Sequence, residues 1–81
     1  MDKKKATLNK IKPIFMKVFN NKNIRLNYKS SSSNIRNWDS LAQITLVLNI
    51  ESMFKIKFKI SEISSLSNVG EMIDLILRKK K

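Results

Sequence analysis

The segment from Asp39 or Ser40 to about Phe54 constrains the fold more than any other part of this chain. Apolar residues cover more than half the circumference of the helix it predicts, and it contains no Lys or Arg. A helix this apolar lies at the centre of a bundle or exposes an apolar strip to a partner. Its apolar residues are Leu41, Ile44, Leu46, Val47, Leu48, Ile50 and Phe54.

A second helix is predicted near the start of the chain, from about Lys4 to Phe19. Apolar residues recur at helical spacing in this segment. Pro13 lies inside it and predicts either a kink or a late helix start with Pro13 in the first turn. The apolar face consists of Leu8, Ile11, Ile14, Phe15, Val18 and Phe19.

The end of the chain predicts two more helical segments. A short turn of helix is expected near Ser61–Ser65. Asn68–Glu71 resembles a capping box and opens a last helix, in which Gly70 would permit close packing. The apolar residues of that helix include Val69, Met72, Ile73 and Ile76. The single Gly and single Pro of the 81 residues argue against a turn-rich all-β protein, so we predict an all-α bundle of three to four helices.

Two connections complete the predicted domain. Asn20–Asn37 is a long polar first loop, with Ile24, Leu26 and Ile35 as its apolar anchors. Lys55–Ile60 alternates strictly between basic and apolar residues, which is a strand pattern in isolation. Because no second convincing strand is available for pairing, we predict an extended linker that places three apolar side chains in the core, those of Ile56, Phe58 and Ile60.

The absence of Cys and His excludes several classes of function. The chain can form no disulfide, no thiolate metal site and no catalytic thiol, and it lacks the commonest general base. We therefore expect a protein that is not an enzyme and has no metal site. No run approaches the roughly 20 apolar residues of a membrane span. Lys10, Lys12 and Pro13 interrupt any signal-peptide core, so we expect a cytoplasmic protein.

The strongly basic composition points to an anionic partner or to compositional bias, and both explanations stay open. The net charge is +11, from 17 basic and 6 acidic residues. Six of the basic residues lie in Lys3–Lys5 and Lys79–Lys81, which we place in tails (1–5 and 78–81) around an ordered core of about 6–77. A helical nucleic-acid-binding module would cluster Lys and Arg on one helix face. The most apolar helix has neither, so no specific nucleic acid is expected; that module and a membrane-surface domain remain alternatives.

The sequence Trp38-Asp39-Ser40-Leu41 marks the candidate site. Asp39 is a good N-cap for the apolar helix, because its carboxylate can accept orphan amide protons of the first turn. Ser40 is then displayed at the mouth of that helix. With no His or Cys in the chain to activate it, Ser40 is interpreted as an attachment point rather than a catalyst.

With these features, the chain resembles the acyl carrier protein family, in particular free-standing carriers with a WDSL sequence. The resemblance covers about Leu8 to Leu77. The matching parts are Ile14-Phe15, Val18-Phe19, Ile24-x-Leu26, Trp38–Leu41, Ile50-Glu51, Phe54-x-Ile56-x-Phe58, Ile63, Leu66 and Asn68–Ile76. It implies a monomeric helical bundle that carries cargo.

The resemblance also implies a cofactor and partners. Ser40 would receive 4'-phosphopantetheine from coenzyme A through a phosphopantetheinyl transferase, with Asp39 assisting recognition and Leu41 packing under the base of the arm. Acyl groups would travel as thioesters between acyl-loading and acyl-using enzymes of fatty acid or secondary metabolite biosynthesis, in a specialised pathway. An aminoacyl or peptidyl carrier is the alternative. Ile44, Val47, Phe58, Ile63 and Ile73 are candidates to line an acyl chain or to form ordinary core.

One feature departs from the family, whose members are mostly acidic on the second helix. The corresponding outward positions here are Ala42, Thr45, Leu48, Glu51 and Ser52, of which only Glu51 is acidic. Charge complementarity sets partner choice and association rate. We therefore expect poor docking on ordinary fatty-acid synthesis enzymes, and partners with neutral, apolar or acidic docking surfaces.

Overall fold

The computed structural model describes residues 3–80. This part of the chain forms four α-helices and no strand: α1 (Lys3–Val18), α2 (Ser40–Phe54), α3 (Ile60–Ser65) and α4 (Val69–Lys79). Helix α1 packs against α2 and α4, and α2 also contacts α3. The prediction of an all-α bundle with a long first loop is confirmed.

The core is built from α1, α2 and α4, whose apolar faces meet as their spacing predicts. Helix α3 contributes no buried residue. Helix α1 begins at Lys3, one residue before its predicted start, and α4 extends through Arg78 and Lys79 into the expected basic tail. The largest fully buried side chains are Ile11, Phe15, Leu46, Ile50, Val69, Met72, Ile73 and Ile76.

Helix α1 runs through Pro13 without ending there. Because α1 begins at Lys3, the second of the two predicted alternatives, a late helix start at Pro13, is wrong. Proline has no N–H to donate to the carbonyl of Asn9, four residues earlier. Both Pro13 and Asn9 are exposed, so water can reach that carbonyl and the helix tolerates the missing bond.

The first loop is tied to the start of α4 by two backbone hydrogen bonds. The Val69 N–H donates to the Ser30 carbonyl and the Gly70 N–H donates to the Tyr28 carbonyl, both at 2.8 Å. The first N–H groups of a helix have no acceptor within it, so the loop carbonyls supply the acceptors for the start of α4. The predicted apolar anchors of the loop are confirmed: Ile24 and Ile35 are buried, and Leu26 packs against the core.

Gly70 is required by this close approach. A Cβ atom on Gly70 would lie 2.9 Å from the Tyr28 carbonyl oxygen and 3.3 Å from Asn68 Oδ1. Exchanging glycine for alanine within a helix usually stabilises by about 0.5–1 kcal/mol. We expect Gly70→Ala instead to lower the free energy of unfolding by about 1–2 kcal/mol, because the Tyr28 backbone must move.

Urea denaturation would measure this effect. Ser61→Ala is the matched control, since Ser61 is the second residue of α3 as Gly70 is of α4, and its side chain is exposed. We expect the control to change stability by less than about 0.5 kcal/mol. A Gly70→Ala protein as stable as the parent would contradict the assigned contact.

The linker from Lys55 to Lys59 connects α2 to α3. Ile56 and Phe58 pack against the core as predicted. Ile60 does not: it is 83% exposed, so its predicted burial is wrong. Helix α3 begins at Ile60, and the change from extended to helical backbone ends the two-residue alternation that directed Ile56 and Phe58 inward.

Candidate functional site

Ser40 is the first residue of α2, and its side chain is exposed. Asp39 precedes it in extended conformation, and its Oδ1 accepts the Ala42 N–H at 2.9 Å. The predicted N-cap is therefore confirmed. The backbone carbonyl of Asp39 also accepts the Gln43 N–H at 2.9 Å, which is the first helical hydrogen bond of α2. The cap fixes the first turn, so the hydroxyl of Ser40 is presented from a regular helix.

Trp38 anchors this turn to the rest of the molecule. Its ring packs edge-on against Phe15, with centroids 5.5 Å apart, and also contacts Phe19 at 5.9 Å. Its indole N–H donates to Gln43 Oε1 at 2.7 Å. Aromatic burial on one side and a hydrogen bond on the other hold the start of α2 against the end of α1.

An open groove of about 960 Å³ lies beside Ser40, between the first loop, α2 and α3. Its walls combine serine hydroxyls with apolar side chains. The apolar part consists of Ile44, Ile60, Ile63 and Leu66, and the serines are Ser31, Ser32, Ser33, Ser64 and Ser67. A group attached to Ser40 would find both polar and apolar surface within this groove.

The five residues proposed to line an acyl chain do not lie together. Ile44 and Ile63 line the groove beside Ser40. Val47 and Ile73 are buried, and Phe58 packs against the core from the linker. Leu41 stands next to Ser40 but is 73% exposed, so it is not part of the core.

Sequence reasoning missed most of the groove wall: it gives no site role to the wall serines or to Gln43. It places Ile60 in the core and matches Leu66 only as part of the family pattern. The sequence did single out Gln43, because it is a polar residue at helical spacing from the apolar residues Leu46, Val47 and Ile50. The contribution of Ile60 depends on where α3 begins, which the alternating linker obscures.

The arrangement of helices and site matches a known protein closely. The solution NMR structure of holo acyl carrier protein from Geobacter metallireducens superposes with a TM-score of 0.83. The two sequences are 40% identical, and the match covers 90% of this chain and 84% of that chain. This chain belongs to the acyl carrier protein family. It is a carrier rather than an enzyme.

Other comparisons add no relatives to this carrier. No protein-family model matches the chain, and no curated protein sequence matches it. The match to the solved carrier confirms the resemblance expected from the WDSL sequence and the helix pattern.

The outward face of α2 in this carrier is apolar. Leu41, Ile44 and Leu48 follow one another at spacings of three and four and are 73%, 50% and 59% exposed. We call these three residues the α2 strip. Of the proposed docking positions, Leu48 and Ser52 are exposed, whereas Ala42, Thr45 and Glu51 are half-buried.

Glu51 is the one charged residue of α2, and its carboxylate is hydrogen-bonded to the linker between α2 and α3. Glu51 Oε2 accepts the Phe58 N–H at 2.7 Å and so fastens the linker beneath α2. The only acidic group among the proposed docking positions therefore has a structural partner, and the exposed part of α2 has no carboxylate of its own.

The remaining carboxylates in the described residues also have local partners. Glu62 accepts the Lys59 N–H at 2.7 Å and pairs with Lys79 Nζ at 2.8 Å. These two contacts lower the pKa of Glu62, the backbone N–H contributing most. The backbone N–H and hydroxyl of Ser67 likewise lower the pKa of Glu71. Asp74 pairs with Lys4 at 3.3 Å.

The described residues form neither a metal site nor a membrane-spanning helix. Residues 3–80 contain no group of acidic residues that could hold a metal ion. Within the same range, no helix is both long and apolar enough to cross a membrane.

Proposed function

We propose that this chain is an acyl carrier protein whose Ser40 bears 4'-phosphopantetheine and shuttles thioester-bound acyl groups between partner enzymes. The observation that carries the proposal is an exposed serine on the first turn of a capped helix, beside an open groove. The chain has no His or Cys to make Ser40 reactive, so its modification falls to a separate transferase. The thiol that holds the cargo comes with the cofactor.

The position of Ser40 suits a phosphodiester. The first amides of α2 have no helical acceptor, and the dipole makes this end of the helix positive. A phosphate on the Ser40 oxygen would lie close to those amides. Leu41, exposed beside it, is available to the base of the arm or to the transferase, and Asp39 holds the turn in shape while presenting a charge for recognition.

The surface of α2 supports a specialised pathway rather than general fatty-acid synthesis. Its exposed side is formed by the α2 strip, and its one carboxylate is bound to the linker. We propose acyl-loading and acyl-using partners with neutral, apolar or acidic docking surfaces, in the cytoplasm. The arm is the same for acyl and aminoacyl cargo, so the proposal covers both classes of thioester. Helix α2 does not support the alternative of a nucleic-acid-binding module, because it has no Lys or Arg.

Intact-mass analysis would test the proposed modification. The apo protein is incubated with coenzyme A and a broad-specificity phosphopantetheinyl transferase, and a control reaction omits the transferase. We expect the folded protein to gain the mass of one phosphopantetheine, and the control to gain nothing. A protein that stays unmodified with several such transferases, or that binds duplex DNA in a salt-dependent manner, would overturn the proposal.

A further inference from the structure

Gln43 is a polar residue on the buried side of α2. Leu46, Val47 and Ile50 follow it by three, four and seven positions, and all three are no more than 2% exposed. Residues at this spacing share one face of a helix. The side chain of Gln43 therefore begins the inward face of α2, at a place where an apolar residue would continue the core.

The amide of Gln43 joins three parts of the molecule. Its Oε1 accepts the Trp38 indole N–H at 2.7 Å, which links α2 to the residue that follows the first loop. Its Nε2 donates to the Ile63 carbonyl at 3.3 Å, which links α2 to α3. Because this side chain is partly buried, losing either partner would leave a polar group poorly satisfied.

Helix α3 has few other attachments. It has six residues, none of them buried, and Ile63 is not part of the core cluster. Its other long-range polar link is the ion pair of Glu62 with Lys79. The hydrogen bond from Gln43 is therefore one of two long-range polar links that hold α3 in place.

This hydrogen bond joins two residues of the groove wall. Gln43, Ile44 and Ile63 line the groove, whereas Val47 and Ile73 lie in the closed interior. A long alkyl chain that entered between α2 and α3 at this point would have to compete with the hydrogen bond from Gln43 to the Ile63 carbonyl.

We propose that Gln43 is a latch that determines cargo size. While it bridges Trp38 and Ile63, cargo remains in the open groove, so the carrier suits short or polar acyl groups and does not shelter long alkyl chains. Gln43 acts by positioning α3 and takes no part in bond making. This inference rests on the proposed function, but its first test does not require the cofactor.

The first test measures amide hydrogen exchange by NMR on the apo protein. Gln43→Met keeps the length of the side chain and removes both bonds; Gln43→Glu keeps the acceptor for Trp38 and removes the donor to Ile63. We expect the amides of Ile63 to Leu66 to exchange about fivefold faster in both variants, with α4 unchanged. The indole N–H signal of Trp38, the only tryptophan, should change its chemical shift in Gln43→Met, where the hydrogen bond is lost, and much less in Gln43→Glu.

Asn49→Leu is the matched control. Asn49 is a half-buried amide on α2 that donates to the Thr45 carbonyl within its own helix. We expect it to leave α3 exchange unchanged. If Gln43→Met folds poorly, Gln43→Glu still tests the link to α3. Unchanged α3 exchange in a folded Gln43 variant overturns the latch, even if Ser40 is modified normally.

The second test measures cargo shelter on the modified carrier. Butanoyl and octanoyl thioesters are cleaved with hydroxylamine in the parent, Gln43→Met and Asn49→Leu proteins. We expect nearly equal rates for both thioesters in the parent and the control, and octanoyl cleavage slowed about fivefold in Gln43→Met. An octanoyl thioester already protected in the parent would overturn the latch, whereas a protein that cannot be loaded would contradict the proposed function instead.

Discussion

Ser40→Ala should abolish phosphopantetheine attachment completely. The hydroxyl oxygen of Ser40 is the atom to which the phosphate would be joined, and alanine offers no replacement. The fold should be unaffected, because the Ser40 side chain is exposed and the helix cap is the carboxylate of Asp39. Alanine is also a good helix former at this position. We expect the variant to change stability by less than about 0.5 kcal/mol.

The measurement is intact mass after incubation with coenzyme A and transferase, with circular dichroism to verify folding. Ser64→Ala is the matched control, since Ser64 is also exposed and lines the same groove. It should gain the full mass increment. A folded Ser40→Ala protein that still becomes modified would place the attachment at another residue.

The helices of this protein were predictable because their signals are local. The predicted bounds of α1, α2 and α3 lie within one residue of those observed. The Asp39 cap could be derived from a side chain and an amide three positions apart. Of the capping box predicted at the start of α4, one hydrogen bond is present, since Asn68 Oδ1 accepts the Glu71 N–H. The carboxylate of Glu71 accepts the N–H of Ser67 rather than that of Asn68.

Features that depend on distant partners could not be derived. The hydrogen bond of Glu51 could not be predicted, because its donor, the Phe58 N–H, is brought beneath α2 only by the fold of the linker. The link from Gln43 to Ile63 spans twenty positions. Ile60 was misplaced because a basic and apolar alternation does not reveal where extended backbone becomes helix. The attachment site was predictable for the opposite reason, since cap, serine and apolar helix are contiguous.

Adding carboxylates to α2 should improve its use by ordinary fatty-acid synthesis enzymes. We expect the modified and acylated parent to be a poor substrate for a synthase that has a basic docking patch, because α2 has no free carboxylate. Thr45→Glu with Ser52→Glu places two carboxylates around Leu48 without altering the α2 strip. Electrostatic steering should then raise kcat/KM by about tenfold or more at low ionic strength.

Thr45→Gln with Ser52→Gln is the matched control, because it has the same shape without the charge. It should behave as the parent does, and the gain of the Glu variant should largely disappear at about 1 M salt, where exposed charges are screened within about 3 Å. The test uses steady-state kinetics with all three acylated carriers and an acidic carrier for reference. If the parent matches the acidic carrier from the outset, the enzyme does not recognise charge on α2, and the surface of α2 does not select a specialised partner.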